Sequence, residues 1–317
     1  MLIAIAAILV GLVLLIWSAD RFVDGASATA GHLGMSPMLI GLTIVAFGTS
    51  APEMLVATMA ALDQAPGLAI GNAIGSNIAL VLGATALVAP LPIKRNLVRI
   101  ELPILTLATL GAGLLLLDYY LTLIDSTLLL LGLLGCLYLF KRYQQDHTQD
   151  PVGALAQMSL KAGIVWLIIG LALLALGSKM LVFGAICIAT SLGVSEMIIG
   201  LTIIAIGTSL PELAASIMSA RKGQHGLALG NIIGSNIFNL LGVMAIPALI
   251  APVVIEANAL WRDYSLMLFL TLLLLEIGFK GRRGGSISKI MGTILLLIYV
   301  MYMLLLYTNA IRSTNMP

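Results

Sequence analysis

The chain has 317 residues, of which 60% are hydrophobic and only 9% charged, with a mean hydropathy of +1.11. A water-soluble domain of that composition would expose apolar surface, so the bilayer is its solvent. A formal net charge of +2, with no basic cluster interleaved with aromatics, excludes a nucleic-acid footprint.

Residues 2–17 form an apolar run with no basic residue before it, so the run reads as a first membrane helix and not as a signal peptide. A spanning helix needs about 20 mostly apolar residues. Spans are predicted over 2–22, 38–61, 67–89, 101–118, 121–141, 160–184, 196–220, 226–250, 262–280 and 287–308. The predicted class is therefore all-α, a polytopic membrane protein of ten transmembrane helices. Cys136 and Cys187 fall inside these runs and read as small buried apolar residues, not as a disulfide or metal ligands.

Ten spans place both termini on one side. With the N-terminus outside, the cytoplasmic segments carry every Lys and Arg of the 16 except Lys179, Arg262 and Arg312, which fall toward outer ends. The positive-inside rule favours this orientation, with both termini extracytoplasmic in an inner membrane. The longest polar segment, 143–159, reads as a cytoplasmic linker between two units, 1–142 and 160–317.

The two units repeat each other at an offset of 159 (212 − 53). Gly41-Leu-Thr-Ile-Val-Ala-Phe-Gly-Thr-Ser-Ala-Pro-Glu53 aligns with Gly200-Leu-Thr-Ile-Ile-Ala-Ile-Gly-Thr-Ser-Leu-Pro-Glu212, and Gly71-Asn-Ala-Ile-Gly-Ser-Asn-Ile78 with Gly230-Asn-Ile-Ile-Gly-Ser-Asn-Ile237. A shared compositional bias would not hold register over both blocks. Each unit has five spans, an odd number, so the second copy is inverted. Inverted repeats mark many secondary transporters, whose sites lie at the midplane where discontinuous helices meet.

Glycine and proline stand in the middle of the second and seventh spans, at Gly48 to Glu53 and Gly207 to Glu212. Proline removes a backbone donor and clashes with the carbonyl four residues back. Carbonyls of Ala46 to Thr49 and of Ala205 to Thr208 should be freed, and at membrane depth such groups need a partner. An ionised carboxylate at the bilayer centre costs at least ~2.5 kcal/mol, and no Lys or Arg lies in the core of any span to offset Glu53 and Glu212. Two carboxylates with hydroxyls and carbonyls make a hard, all-oxygen site suited to Ca²⁺ or Na⁺. The plainer reading, a kink with a protonated glutamate, does not account for a whole block duplicated at matched depth.

For Gly71, Gly75, Gly230 and Gly234 the expected role is close helix packing. Ser76 and Ser235, one residue further on, are expected to face the opposite helix. Asp118 and Asp125 read as turn residues, Arg21 with Asp24 as a helix-end pair, Glu101 as a carboxylate at a helix start, and Glu276 as a partner of Lys280. His32, His147 and His225 fall in connections, so neither a zinc site nor a histidine-based hydrolase has its parts at membrane depth. No enzyme is expected.

On the doubled Gly-Thr-Ser-x-Pro-Glu and Gly-Asn-x-x-Gly-Ser-Asn blocks, the sequence closely resembles the calcium/cation antiporter superfamily, in particular its prokaryotic sodium/calcium exchanger branch. The resemblance covers nearly the whole chain. It implies that Glu53 and Glu212 are central ligands shared between Ca²⁺ and Na⁺. It completes the sites with carbonyls of Ala46, Thr49, Ala205 and Thr208 and hydroxyls of Ser50, Ser76, Ser209 and Ser235. Asn239 stands where some members carry aspartate, an exchange associated with potassium independence. Leu80 stands where many place asparagine, so the fourth central position is either missing or supplied by Asn77. The motion it implies is a sliding of spans 1 and 6 over the rest.

These readings converge on a Na⁺/Ca²⁺ antiporter working by alternating access. Its partners are Ca²⁺ and Na⁺ as transported substrates and the lipid bilayer, with no resident cofactor and no obligatory protein partner. An H⁺/Ca²⁺ antiporter is the alternative, since protons also neutralise a carboxylate pair. A passive cation channel is remote, because the spans offer no continuous polar path.

Overall fold

The computed structural model describes residues 1–81, 91–92, 97–143, 158–192, 203, 205–280 and 286–314, and nearly all of them are helical. α1 (Leu2–His32) leads to a bent pair, α2 (Pro37–Thr49) and α3 (Ala51–Leu62), followed by α4 (Pro66–Ala79), α5 (Leu97–Leu115) and α6 (Leu123–Tyr143). The second half runs α7 (Leu160–Ser191), α8 (Ala205–Thr208), α9 (Leu210–Arg221), α10 (His225–Ile250), α11 (Ser265–Lys280) and α12 (Lys289–Thr314). Among the described residues six helices are long and apolar enough to cross a membrane, or seven when α2 and α3 count as one span. Most of the predicted linker, His147, the end of the span predicted over 67–89 and the start of that predicted over 196–220 lie outside the described residues.

Helix starts follow local chemistry. Ser36 accepts the Leu39 amide at 3.1 Å with Pro37 in the first turn of α2, and Ser159 accepts the Ala162 amide at 3.3 Å ahead of α7. Asp125 accepts the Thr122 amide at 2.8 Å and its hydroxyl at 2.6 Å, a reciprocal cap that opens α6.

α1 runs to His32, past the apolar run of residues 2–17 and past the predicted end of the first span at residue 22. The charges that bound that run do not stop the helix, because each finds a neighbour. Asp20 and Asp24 meet Lys222 at 2.8 and 2.5 Å, and the Arg21 guanidinium lies 5.7 Å from the centre of the Trp166 ring. The expected pairing of Arg21 with Asp24 is thus replaced by contacts to other helices.

α1 and α7 form an antiparallel pair closed on small residues. A Cβ added to Gly25 would lie 2.6 Å from the Leu167 nitrogen and 2.7 Å from the Gly163 carbonyl. One on Gly170 would lie 2.8 Å from Phe22 Cα, and one on Gly11 2.8 Å from the Gly177 carbonyl. Such stripes let backbones approach where lipid tails give helices no hydrophobic reason to associate.

The main core surrounds α10, whose Ile232, Ile237 and Leu240 pack with Ile70, Ile74 and Ile78 of α4 and Leu105 of α5. A second, smaller core joins Phe22, Val23 and Ala26 of α1 to Leu174 of α7, Ala215 of α9 and Leu227 of α10. Between α1 and α9 an apolar groove of about 240 Å³ remains, lined by Leu12, Leu15, Ala19, Leu213, Ala214 and Ile217 among others. Short antiparallel pairings tie connections together, Leu91 with Ile287 and Tyr120 with Val254.

Candidate cation site

Both Gly-Thr-Ser-x-Pro-Glu blocks break a helix at the serine. α2 ends at Thr49, Ser50 has φ −83° and ψ 2°, and α3 leaves at 40°. α8 ends at Thr208, Ser209 has φ −86° and ψ 1°, and α9 follows. Pro52 and Pro211 lack the N–H that would continue the ladder, yet sit comfortably in the first turn of the restarted helix. Each restart places a glutamate in that first turn, where the positive end of the helix dipole favours negative charge.

Glu53 and Glu212 are 0% exposed, and Thr49, Ser50, Ser76, Ser209 and Ser235 are buried with them. The Ser50 hydroxyl, from the first broken helix, donates to Glu212 Oε1 of the second at 3.2 Å. Ser209 and Ser76 share a hydrogen bond of 2.8 Å, and Thr49 Oγ1 lies 3.5 Å from Ser235 Oγ. Ser76 and Ser235 thus do face the opposite helix. The Ala46 carbonyl accepts the Ser50 amide at 3.0 Å, so any cation there shares it. Ala205 opens α8, beside Thr208.

Two asparagines, Asn72 and Asn231, support this cluster and were not singled out by the sequence reading, although the duplicated Gly-Asn block contains both. The Thr49 hydroxyl donates to Asn231 Oδ1 at 3.2 Å, and in the other copy the Thr208 hydroxyl donates to Asn72 Oδ1 at 3.0 Å. Asn231 Nδ2 also reaches the Glu212 carbonyl at 3.1 Å and the Ser216 hydroxyl at 2.8 Å. Ser178 of α7 donates to the Gly207 carbonyl at 2.5 Å. No motif marks Ser178, whose counterpart is Ala19 (178 − 159 = 19).

Asn239 sits in a π-helical stretch of α10, Phe238–Val243, fully buried, and among the described residues neither amide atom is hydrogen-bonded, to a glutamate or otherwise. Leu80 is buried too. Asn77 donates to the Asn236 carbonyl at 3.1 Å, and its Oδ1 has no partner among the described residues. Of the four expected packing glycines, Gly230 and Gly234 press on α2, where a Cβ on Gly234 would lie 2.6 Å from the Leu42 carbonyl. Gly71 and Gly75 meet no described atom within 4 Å. Glu101 is buried at the end of the π-helical first turn of α5, Leu97–Glu101, and the Lys280 side chain lies outside the described residues.

Among the described residues both oxygens of Glu53 and Oε2 of Glu212 have no hydrogen-bond partner. A buried carboxylate with free lone pairs is a costly arrangement unless a cation or proton completes it. Among the described residues no group of three or more His, Cys, Asp or Glu gathers to hold a metal. The donors are carboxylate, hydroxyl, amide and carbonyl oxygens, a hard set fit for alkali and alkaline-earth ions.

The sodium/calcium exchanger protein family matches residues 3–142 and 162–308. The chain belongs to that family. As a member of the sodium/calcium exchanger family it is a membrane transporter. It is 48% identical to the putative antiporter CaxA of Alkalimonas amylolytica, over 98% of this chain and 100% of that one. It is 39% identical to the inner membrane protein YrbG of Escherichia coli (strain K12), over 97% of this chain and 98% of that one. A solved structure of the sodium-calcium exchanger NCX_Mj, soaked with 10 mM Na⁺ and 10 mM Sr²⁺, matches with a TM-score of 0.81 at 31% identity, covering 95% of this chain and 97% of that chain.

Proposed function

We propose that the chain exchanges Na⁺ for Ca²⁺ across the inner membrane by alternating access, through a site centred on Glu53 and Glu212. The observation that carries this reading is the pair of fully buried glutamates on two broken helices, with three of their four carboxylate oxygens lacking a hydrogen-bond partner among the described residues. Membership of an exchanger family and the name of NCX_Mj favour Na⁺ and Ca²⁺ as the ions. One Ca²⁺ neutralises both carboxylates, and several Na⁺ do the same with hydroxyl and carbonyl ligands from Thr49, Ser50, Ser76, Thr208, Ser209 and Ser235, carbonyls of Ala46 and Ala205, and the amide of Asn239. An empty site would bury two like charges together, so an unloaded crossing is costly, and that cost couples the two fluxes.

The arrangement is ten spans in two inverted units with both termini outside. The two short pairings fit it. Residues 91–92 and 286–287 lie on one side of the membrane in this arrangement, and residues 120–121 and 253–254 on the other. The α1–α7 pair, closed on glycines and set apart by its own small core, is the body that slides.

The test is Ca²⁺ uptake into proteoliposomes loaded with Na⁺ and diluted into Na⁺-free buffer. Uptake should require the Na⁺ gradient and vanish in Glu53→Gln. Uptake driven by a proton gradient alone would replace Na⁺ with H⁺ as the coupling ion, and uptake needing neither gradient would sink the antiporter reading.

A further inference from the structure

The 159-residue register relates Asp20 to Lys179 (179 − 20) and Asp63 to Lys222 (222 − 63). Both partners change sign between the copies. At one end an acid on α1 of the first copy faces a base just after α9 of the second, and at the other end a base on α7 of the second copy answers an acid just after α3 of the first. The turns that carry Asp63 and Lys222 are built alike. Asp63 N donates to the Met59 carbonyl at 2.9 Å and Ala65 N to that of Ala60 at 2.8 Å, while Lys222 N donates to Met218 at 3.0 Å and Gln224 N to Ser219 at 2.8 Å. Each turn closes on a left-handed residue, Gln64 at φ 57° and Gly223 at φ 72°. Gln64, a residue with a Cβ, adopts this conformation at the position where its counterpart is glycine, so the register is structural and not only an alignment.

The two ends nevertheless differ. Lys222 Nζ lies 2.8 Å from Asp20 Oδ1 and 2.5 Å from Asp24 Oδ1, and donates to the Asp20 carbonyl at 2.9 Å. The Ser27 hydroxyl donates to Gln224 Oε1 beside it. At the other end Lys179 and Asp63 are exposed, and among the described residues neither forms an ion pair. The packing differs in the same sense. Ala214, Met218 and Arg221 of α9 line the groove against α1, whereas their counterparts on α3, Leu55, Met59 and Leu62, are 62%, 55% and 66% exposed. α7 makes no comparable contact with α3.

We propose that Lys222 with Asp20 and Asp24, and Lys179 with Asp63, are alternating ion pairs, one closed in each of the two facing states. The proposal rests on the alternating-access reading above. In a transporter built from inverted copies, the opposite-facing state is reached when the two copies exchange conformations. That exchange lays α7 over the Leu55, Met59 and Leu62 stripe and carries Lys179 to the turn at Asp63, while α1 leaves α9 and Lys222 is released. Apolar contact across the groove is non-directional, so the Lys222 ion pairs, together with the Ser27–Gln224 hydrogen bond, are the directional contacts that fix where α1 rests. A partly exposed pair biases a population without trapping it.

The test uses the full-length chain with Cys136 and Cys187 replaced by serine, in membrane vesicles, with a short bifunctional thiol reagent. One protein carries Asp20→Cys with Lys222→Cys, and the other Asp63→Cys with Lys179→Cys. Both pairs are expected to crosslink. Adding Lys222→Gln to the second protein should raise its crosslink yield about threefold to fivefold, the population shift from losing one modest ion pair, while Lys222→Arg should leave it unchanged. Absence of a 63–179 crosslink while 20–222 forms would overturn the proposal, as would a yield indifferent to Lys222→Gln. Neither readout needs a particular coupling ion. Failure of Na⁺-driven uptake in wild-type proteoliposomes therefore counts against the exchange reading alone.

Discussion

Asn231 divides its side chain between two helices, accepting from Thr49 of α2 at 3.2 Å while its Nδ2 reaches the Glu212 carbonyl at 3.1 Å and Ser216 at 2.8 Å, both of α9. It holds the end of one broken helix to the start of the other. Its counterpart Asn72 accepts from Thr208 at 3.0 Å, but its Nδ2 has no partner among the described residues. Removing a residue that orients ligands without being one costs about 10-fold to 100-fold in metal affinity. Asn231→Ala should therefore lower Ca²⁺ affinity by about that factor, measured by equilibrium binding in detergent, with Asn72→Ala losing less. Equal losses would show that the extra bonds of Asn231 do not support the site. The glutamates were legible in the sequence because the whole Pro-Glu block is duplicated at matched depth, which a kink with a protonated glutamate does not explain. Asn72 and Asn231 were not, because a polar residue beside a packing glycine reads as part of a helix seam until the facing threonines are in place.

At the scale of elements, the α1–α7 pair depends on the absence of side chains at a few points. A Cβ on Gly25 would press on the backbone of Leu167 and Gly163 at 2.6 and 2.7 Å, and backbone cannot yield as a flexible side chain does. Gly25→Leu is expected to cost about 1–3 kcal/mol of stability through overpacking, read as a lower melting temperature in detergent. Gly135→Leu, on an exposed face of α6 with no described atom within 4 Å of the added Cβ, should melt near the wild type. A Gly25→Leu protein as stable as the wild type would mean that the two helices are not held by close backbone contact. Apolar runs marked where helices lie because hydrocarbon demands them, and the Pro-Glu blocks marked where α2 and α8 stop. The length of α1 was hidden, because Asp20, Arg21 and Asp24 look like a helix end until Lys222 and Trp166, far away in sequence, are brought beside them.

For the whole molecule, the buried glutamates tie stability to ions. Asn239, buried with both amide atoms unpartnered among the described residues, adds to the same liability, as a polar group left without a partner in the interior destabilises the fold. A ligand that binds the folded state and not the unfolded one stabilises by mass action, adding about 1.4 kcal/mol for each tenfold rise in concentration above its dissociation constant. Ca²⁺ should therefore raise the melting temperature of the detergent-solubilised wild type steadily with its concentration. Excess Na⁺, competing for the same oxygens, should flatten that rise. Glu53→Gln should lose the Ca²⁺ response and yet melt no lower than the ion-free wild type, since it removes one of two like charges buried without a counter-ion. This last comparison separates a ligand from a structural residue. If Glu53 served the fold, its replacement would lower the ion-free melting temperature, and a Ca²⁺ response surviving in Glu53→Gln would place the cation elsewhere.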